Sequence, residues 1–69
     1  MNKVMIVAVK NGVPQGYVKS VSYTKGSFKL SQDRLGAKRY TEDQAQCEID
    51  TLMRWSMEQN LGYVFIYGR

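Results

Sequence analysis

Six consecutive apolar residues near the start of the chain limit its fold more than any other feature. They occupy residues 4–9, between Lys3 and Lys10, and most of them are β-branched. Side chains alternate between the two faces of a strand, and here both alternating sets are apolar. A strand that is apolar on both faces is typical of a central position in a sheet. The run is far too short to cross a bilayer and lacks the pattern of a signal peptide.

Turn residues divide the next part of the chain into a hairpin and a third strand. Residues 11–16 contain an Asn-Gly pair, the single proline and a second glycine, so we expect a turn there and a partner strand over residues 17–24. Residues 25–26 would form another tight turn before a short strand over residues 28–30. Lys29, in the middle of that strand, suits a sheet edge.

One long helix is predicted from Thr41 to about Gln59. Thr41 is a favourable N-cap, two acidic residues follow it in the first turn, and Gln44 completes a capping box. One stripe at helical spacing predicts a face that packs on the sheet. The stripe consists of Ala45, Ile49, Leu52, Met53 and Ser56.

The remaining segments complete an α+β fold. Residues 31–36 would form one helical turn, capped by Ser31 and ended by Gly36, and residues 37–40 an extended link. Residues 60–62 would end the long helix, and residues 62–67 read as a last strand. We therefore expect one domain, residues 1–69, with a small antiparallel-type β-β-β-α-β sheet and one long helix packed on one face. The last strand can pair next to the first.

The cysteine and histidine content excludes disulfide and zinc cross-links within the chain. The chain has one cysteine, Cys47, and no histidine, so an internal disulfide and the usual zinc sites are both excluded. Cys47 lies near the edge of the helix stripe, and we expect a partly buried, inert thiol. A reducing cytoplasm is the expected location.

Charge is distributed unevenly along the chain. Residues 1–40 have eight basic residues and one acidic residue, which gives +7, whereas residues 41–69 have two basic and five acidic residues, which gives −3. These values agree with the net charge of +4. We therefore expect a basic sheet side and an acidic helix side.

No set of residues resembles an active site. A nucleophile with a base, or a carboxylate pair in a cleft, would be needed for hydrolysis or transfer. Glu48 and Asp50 point to different sides of the helix, and turn and N-cap electrostatics account for Asp33, Glu42 and Asp43. We expect a protein that is not an enzyme, with no catalytic, cofactor-binding or metal-binding residues and no cofactor.

Aromatic side chains on strands suggest a binding surface. If Val64 and Ile66 face the helix, the aromatic residues between and beside them lie on the uncovered face, where Tyr17, Lys19 and Tyr23 could join them. Such a face can stack unpaired bases. The alternative is that tyrosines occupy half-exposed strand positions or a dimer seam. The candidate stacking or interface residues are Tyr17, Tyr23, Trp55, Tyr63, Phe65 and Tyr67.

Two further features have alternative interpretations. Trp55 either flanks the core or anchors a protein contact. Five basic residues within 15 positions, opposed only by Asp33, either are solvated separately or form a patch that contacts phosphates or an acidic protein surface. They are Lys25, Lys29, Arg34, Lys38 and Arg39.

Part of the sequence resembles a pattern in small phage and prophage proteins of Gram-positive bacteria. The pattern comprises FKLSQD at residues 28–33, AKRYTE at residues 37–42 and Ala45, and the resemblance covers about residues 17–50. It implies an accessory, non-enzymatic protein of the size class that includes anti-CRISPR inhibitors. The basic charge departs from the acidic character of inhibitors that mimic DNA.

Together these observations predict a phage or mobile-element interaction protein that inhibits a host macromolecule. The expected partner is a host protein or ribonucleoprotein complex, such as a CRISPR or other defence nuclease complex. The alternative is a small basic nucleic-acid-binding module that uses an aromatic open sheet face and a basic loop. A homodimer is a further alternative, and no membrane association is expected.

Overall fold

A four-stranded antiparallel sheet with one helix packed on it forms the fold in the computed structural model, which describes residues 3–68. Residues 1, 2 and 69 of the predicted domain lie outside the described residues. Strands β1 (Met5–Lys10), β2 (Val13–Ser22) and β3 (Ser27–Ser31) precede a short 3-10 helix (Arg34–Gly36), helix α1 (Glu42–Glu58) and strand β4 (Tyr63–Gly68). The strand order is β3-β2-β1-β4. The predicted α+β class, the order of elements and the central position of β1 are confirmed.

The first hairpin has a tighter turn than the sequence predicted. Asn11 and Gly12 have φ values of 54° and 77°, which suit a two-residue type I′ turn. Strand β2 therefore begins at Val13 and contains Pro14, which lies opposite Val9. The strand tolerates this proline because the register shifts between Ala8 and Val9, where a bulge interrupts the ladder.

Asp33, and not Ser31, caps the short 3-10 helix. The Asp33 side chain accepts a hydrogen bond from the Leu35 N–H at 3.0 Å. Ser31 still belongs to β3, so it is too early in the chain to cap the turn. Its hydroxyl instead accepts from the Asp33 N–H at 3.2 Å, which fixes the bend into the 3-10 helix.

The link between the 3-10 helix and α1 forms a short extension of the sheet. The Tyr40 N–H donates to the Val4 carbonyl at 2.8 Å, and the Val4 N–H donates to the Tyr40 carbonyl at 2.7 Å. Thr41 then caps α1, and the capping box with Gln44 is present as predicted. This pairing fixes the start of α1 beside the first residues of β1.

The core lies between α1 and one face of the sheet. Ile6, Ala8, Val18 and Leu52 are fully buried there, and Phe65 is nearly so. The predicted packing stripe of α1 is confirmed, because all five of its residues are buried or half-buried. Glu48 is buried as well, although the sequence did not suggest it.

The helix ends and the chain turns back at residues with left-handed backbone. Asn60 and Gly62 have φ values of 57° and 78°, as their positions after the helix predicted. The buried Ser56 hydroxyl accepts from the Tyr63 N–H at 2.8 Å and donates to the Tyr63 carbonyl at 3.1 Å. These two bonds fix the first residue of β4 against the last turn of α1.

Candidate interaction surface

The face of the sheet opposite α1 carries two apolar rows that run across the strands. In one row Val7 pairs with Tyr17 of β2 and with Ile66 of β4, and in the other Val9 pairs with Pro14 and with Val64. Directly paired residues project to the same side of a sheet, so each row is continuous. We call the six residues of these rows the apolar face: Val7, Val9, Pro14, Tyr17, Val64 and Ile66.

Much of the apolar face is accessible to solvent. Val64 is 49% exposed and Ile66 is 48% exposed, whereas Val7, Val9 and Tyr17 are half-buried. A single exposed apolar residue is ordinary, but contiguous apolar patches on small proteins often mark interaction sites. No residue of the two rows is charged. The surface is therefore suited to contact with an apolar partner surface.

Basic residues flank the apolar face, and acidic residues lie on the helix. Lys29 alternates with the core residues Phe28 and Leu30, so it projects to the side of the apolar face. Lys19 is exposed at the bulge of β2. Five of the six acidic residues of the chain lie on α1. The carboxylates thus gather on the helix side as expected, whereas the basic residues do not all lie on the sheet side, because Lys38 and Arg39 line a groove beside α1.

The predicted aromatic surface is wrong for β4, whose two faces are reversed. Phe65 is buried in the core, Tyr63 packs against it, and the Tyr67 hydroxyl donates to the Gln46 side chain of α1 at 2.7 Å. Val64 and Ile66 occupy the uncovered face instead. The aromatic side chains of β4 are larger than Val64 and Ile66, so they fill the space beneath the helix more completely.

The aromatic residues outside β4 also lie mainly on the helix side. Tyr23 contacts the ring of Trp55 edge-on, with centroids 5.9 Å apart. Trp55 is half-buried and packs against the core, which supports the interpretation of Trp55 as a core flank. Tyr17 remains on the apolar face. The candidate aromatic residues thus do not share one open face of the sheet.

The five predicted basic residues occupy different parts of the molecule. Lys25 lies in the turn between β2 and β3, Lys29 is on β3, and Arg34 begins the 3-10 helix. Lys38 and Arg39 lie on the helix side, in the link before α1. All five are exposed, and their role in binding remains a prediction.

A groove on the helix side lies between α1, the link before it and the turn after β2. Its volume is ≈ 490 Å³, and we call it the Tyr40 groove. The Tyr23 hydroxyl donates to the Glu48 carboxylate there at 2.5 Å. Residues lining the groove include Tyr23, Lys38, Arg39, Tyr40, Asp43 and Glu48.

Both tyrosines of the groove are poor acids. The hydrogen bond to Glu48, followed by partial burial and the negative charge of that carboxylate, raises the pKa of Tyr23 to about 12. Burial is the main cause that raises the pKa of Tyr40, and the Glu48 charge adds to it. Both hydroxyls therefore stay protonated at neutral pH, and that of Tyr23 donates to Glu48.

Sequence reasoning did not identify the residues that define the apolar face and the Tyr40 groove. Glu48 follows Ala45 by three residues and precedes Leu52 by four, which places it beside the apolar stripe and could have indicated its burial. Cys47, expected to be partly buried, is exposed. Val64 and Ile66 lie on the uncovered face, the reverse of the arrangement on which the aromatic surface depends. Strand alternation gives two sets of side chains without saying which set faces the helix.

Comparisons with protein families, curated proteins and solved structures find no significant match to this chain. Within residues 3–68, no helix has the length and hydropathy needed to cross a membrane. The same residues contain no group of three or more acidic or cysteine side chains placed to hold a metal ion. Arguments about function therefore start from the apolar face and the Tyr40 groove.

Proposed function

We propose that this chain is a non-enzymatic interaction protein that binds a partner protein through the apolar face. The observation that supports the proposal is the pair of apolar rows, which ends in the half-exposed Val64 and Ile66. Removing apolar surface from water stabilises a complex by roughly 25 cal/mol per Å² before the costs of association. β-branched side chains on a sheet have few rotamers to lose when they are covered, which favours binding further.

Charge favours a partner whose apolar surface is surrounded by acidic residues. Lys19 and Lys29 would lie beside such carboxylates, and complementary charge promotes association and orients the two proteins. A second copy of this chain fits less well, because Lys29 projects beside the apolar face and none of the four strands contains an acidic residue. Face-to-face pairing of two copies would bring like charges together.

The biological setting follows from the resemblance to small phage proteins. Such an accessory protein would bind and inhibit a host macromolecule by covering a surface that the host needs. A CRISPR or other defence nuclease complex is the first partner to test, in the cytoplasm of the infected cell. Inhibition by covering a surface requires no chemistry from the bound protein, which agrees with the proposed absence of enzymatic activity.

A nucleic-acid-binding module gains less support from the geometry. Stacking of unpaired bases needs exposed aromatic faces on one surface. Of the aromatic residues predicted for the uncovered side, the structure places Tyr17 there, while Phe65 is buried. The basic residues that would contact phosphate are divided between the two sides of the sheet.

The test has two parts: light scattering measures the mass of the chain in solution, and a capture experiment identifies a partner protein. The chain is used to capture proteins from a lysate of a Gram-positive host, and the recovered defence protein is then purified and titrated. The double variant Val64→Ser/Ile66→Ser removes the exposed part of the apolar face. Met57→Ser is the matched control, because Met57 is 79% exposed but lies on α1.

We expect the double variant to weaken binding of the purified partner at least about tenfold, whereas the control leaves it unchanged. Equal binding by wild type and the double variant would refute the assignment to the apolar face. A wild-type dimer that the double variant converts to monomer would assign this face to a second copy. Salt-sensitive binding of DNA or RNA at low ionic strength, with no protein partner, would favour the nucleic-acid module.

A further inference from the structure

The Tyr40 groove contains a buried residue, Glu48, whose carboxylate has one side-chain hydrogen-bond donor. Glu48 is 6% exposed, and among residues 3–68 its carboxylate accepts one side-chain hydrogen bond, from Tyr23. A carboxylate can accept several hydrogen bonds, and a buried one is costly unless donors or a cation compensate for the lost water. Glu48 thus provides an acceptor at which a positively charged donor would be stabilised.

The Tyr40 groove also contains a buried hydrogen-bond donor that has no acceptor. The Tyr40 hydroxyl has no hydrogen-bond partner within the part of the chain that the structure describes, and Tyr40 as a whole is 3% exposed. Nearly all buried hydroxyls in folded proteins are paired. Tyr40 and Glu48 both line the groove, and one ligand that carries an acceptor and a donor could satisfy both once the Tyr40 hydroxyl is uncovered.

Opposite charges line the two walls of the groove without pairing. Asp43 and Glu48 belong to α1, and Lys38 and Arg39 belong to the link that faces it. No ion pair within 4.0 Å joins acidic and basic side chains in residues 3–68. The Lys38 ammonium lies over the Tyr40 ring, 5.2 Å from its centroid. A ligand that carries both charges would match this arrangement, whereas a simple anion or cation would meet one repulsive wall.

We propose that the Tyr40 groove binds the zwitterion of a free α-amino acid. The ligand ammonium donates to Glu48, and the ligand carboxylate accepts from Lys38 and from the Tyr40 hydroxyl. The Tyr40 hydroxyl has almost no accessible surface in this structure, so admitting the carboxylate requires Lys38 to move off the Tyr40 ring, which is a rotamer change of an exposed side chain. The groove volume of ≈ 490 Å³ leaves room for an amino-acid side chain. This site lies across the sheet from the apolar face and is independent of the proposed protein-binding function.

Three related probes test which charges the groove requires. Leucine carries both charges, N-acetylleucine only the negative charge, and leucinamide at about pH 6 only the positive charge. Each is titrated into the full chain while NMR records the amide signals of Lys38, Tyr40 and Glu48. We expect saturable shifts with leucine and at least about tenfold weaker binding of the other two, since each lacks one charge-assisted contact.

Substitutions of the charged groove residues test whether leucine binds in the Tyr40 groove. Glu48→Gln keeps an acceptor for Tyr23 but loses the charge, and Lys38→Gln removes the opposite charge from an exposed position where folding is not at risk. Both should weaken leucine binding about tenfold, while Glu58→Gln, an exposed control on α1, should not. Equal shifts with N-acetylleucine or with leucinamide, no saturable shift with leucine, or unchanged binding by Lys38→Gln would overturn the proposal. None of these results depends on a protein partner.

Discussion

At the residue scale, Gly16 combines a positive φ with a close approach of the neighbouring backbone. This residue lies in β2 with a φ of 151°, and a Cβ added to it would lie 2.9 Å from the Ser31 carbonyl oxygen. Both the unusual backbone angle and the close approach of β3 require glycine. The close pairing of β2 with β3 therefore depends on this position.

Gly16→Ala should lower the free energy of unfolding by about 1–3 kcal/mol, because the backbone angle is strained and the Ser31 carbonyl must move. Urea denaturation followed by circular dichroism measures the change. Gly12→Asn is a suitable control, since Gly12 has open space around it and asparagine tolerates its φ of 77°. A loss no larger than that of the control would contradict the close approach.

The Tyr23–Glu48 pair predicts how stability responds to alkaline pH. The pKa of Tyr23 is raised from 10.0 to about 12 in the folded chain. A raised pKa contributes stability that is fully present below the unfolded value and is lost as pH rises through the folded value. The contribution of Tyr23 should therefore decline between pH 10 and about 12.

We expect Tyr23→Phe to lose stability less steeply than wild type across that pH range, because phenylalanine does not titrate. Denaturant unfolding at a series of pH values measures the two slopes. Tyrosinate absorbance provides a second readout, in which Tyr23→Phe should lose amplitude at the alkaline end. Parallel stability curves for wild type and variant would show that the hydrogen bond does not shift this titration.

At the element scale, Ser56 connects the end of α1 to the start of β4. Its hydroxyl makes one hydrogen bond with each backbone group of Tyr63, and the residue is 2% exposed. The helix packing stripe predicted that Ser56 would face the sheet, but not that it would pair with the backbone. A serine at this core position supplies polar partners that an apolar residue could not.

Ser56→Ala should destabilise the chain by about 1–3 kcal/mol, because it leaves both backbone groups of Tyr63 without this partner in a partly buried region. Thermal or urea unfolding measures the loss, and hydrogen exchange at Tyr63 should accelerate. Thr51→Ala is the control, since the Thr51 hydroxyl bonds only within its own helix, to the Cys47 carbonyl. Similar losses for the two variants would argue against a special role of Ser56.

At the scale of the whole molecule, the sheet separates a packed side from an exposed side. Neighbouring residues of β4 differ sharply, because Phe65 is 4% exposed under α1 while Ile66 is 48% exposed on the apolar face. Most carboxylates lie on the helix, whereas basic residues lie on both sides of the sheet. The molecule thus presents surfaces of different chemistry in opposite directions.

Alanine substitutions of these two neighbours test the arrangement directly. Phe65→Ala should cost about 3–5 kcal/mol because it leaves a cavity in the core, and Ile66→Ala should cost less than about 1 kcal/mol. Equilibrium denaturation of both variants gives the difference. The reverse ranking would restore the predicted aromatic face and remove the basis of the proposed interaction surface.

Local chemistry in the sequence determined the elements and their order. The Asn-Gly turn, the Thr41 capping box, the helix stripe and the doubly apolar β1 act over a few residues, so they could be read without a structure. Which face of β4 meets the helix depends on the space beneath α1, and only tertiary packing decided that Phe65 fills it while Ile66 stays exposed. The meeting of Tyr23, Tyr40 and Glu48 likewise required the turn, the link and the helix to converge, because no local spacing relates residues that far apart.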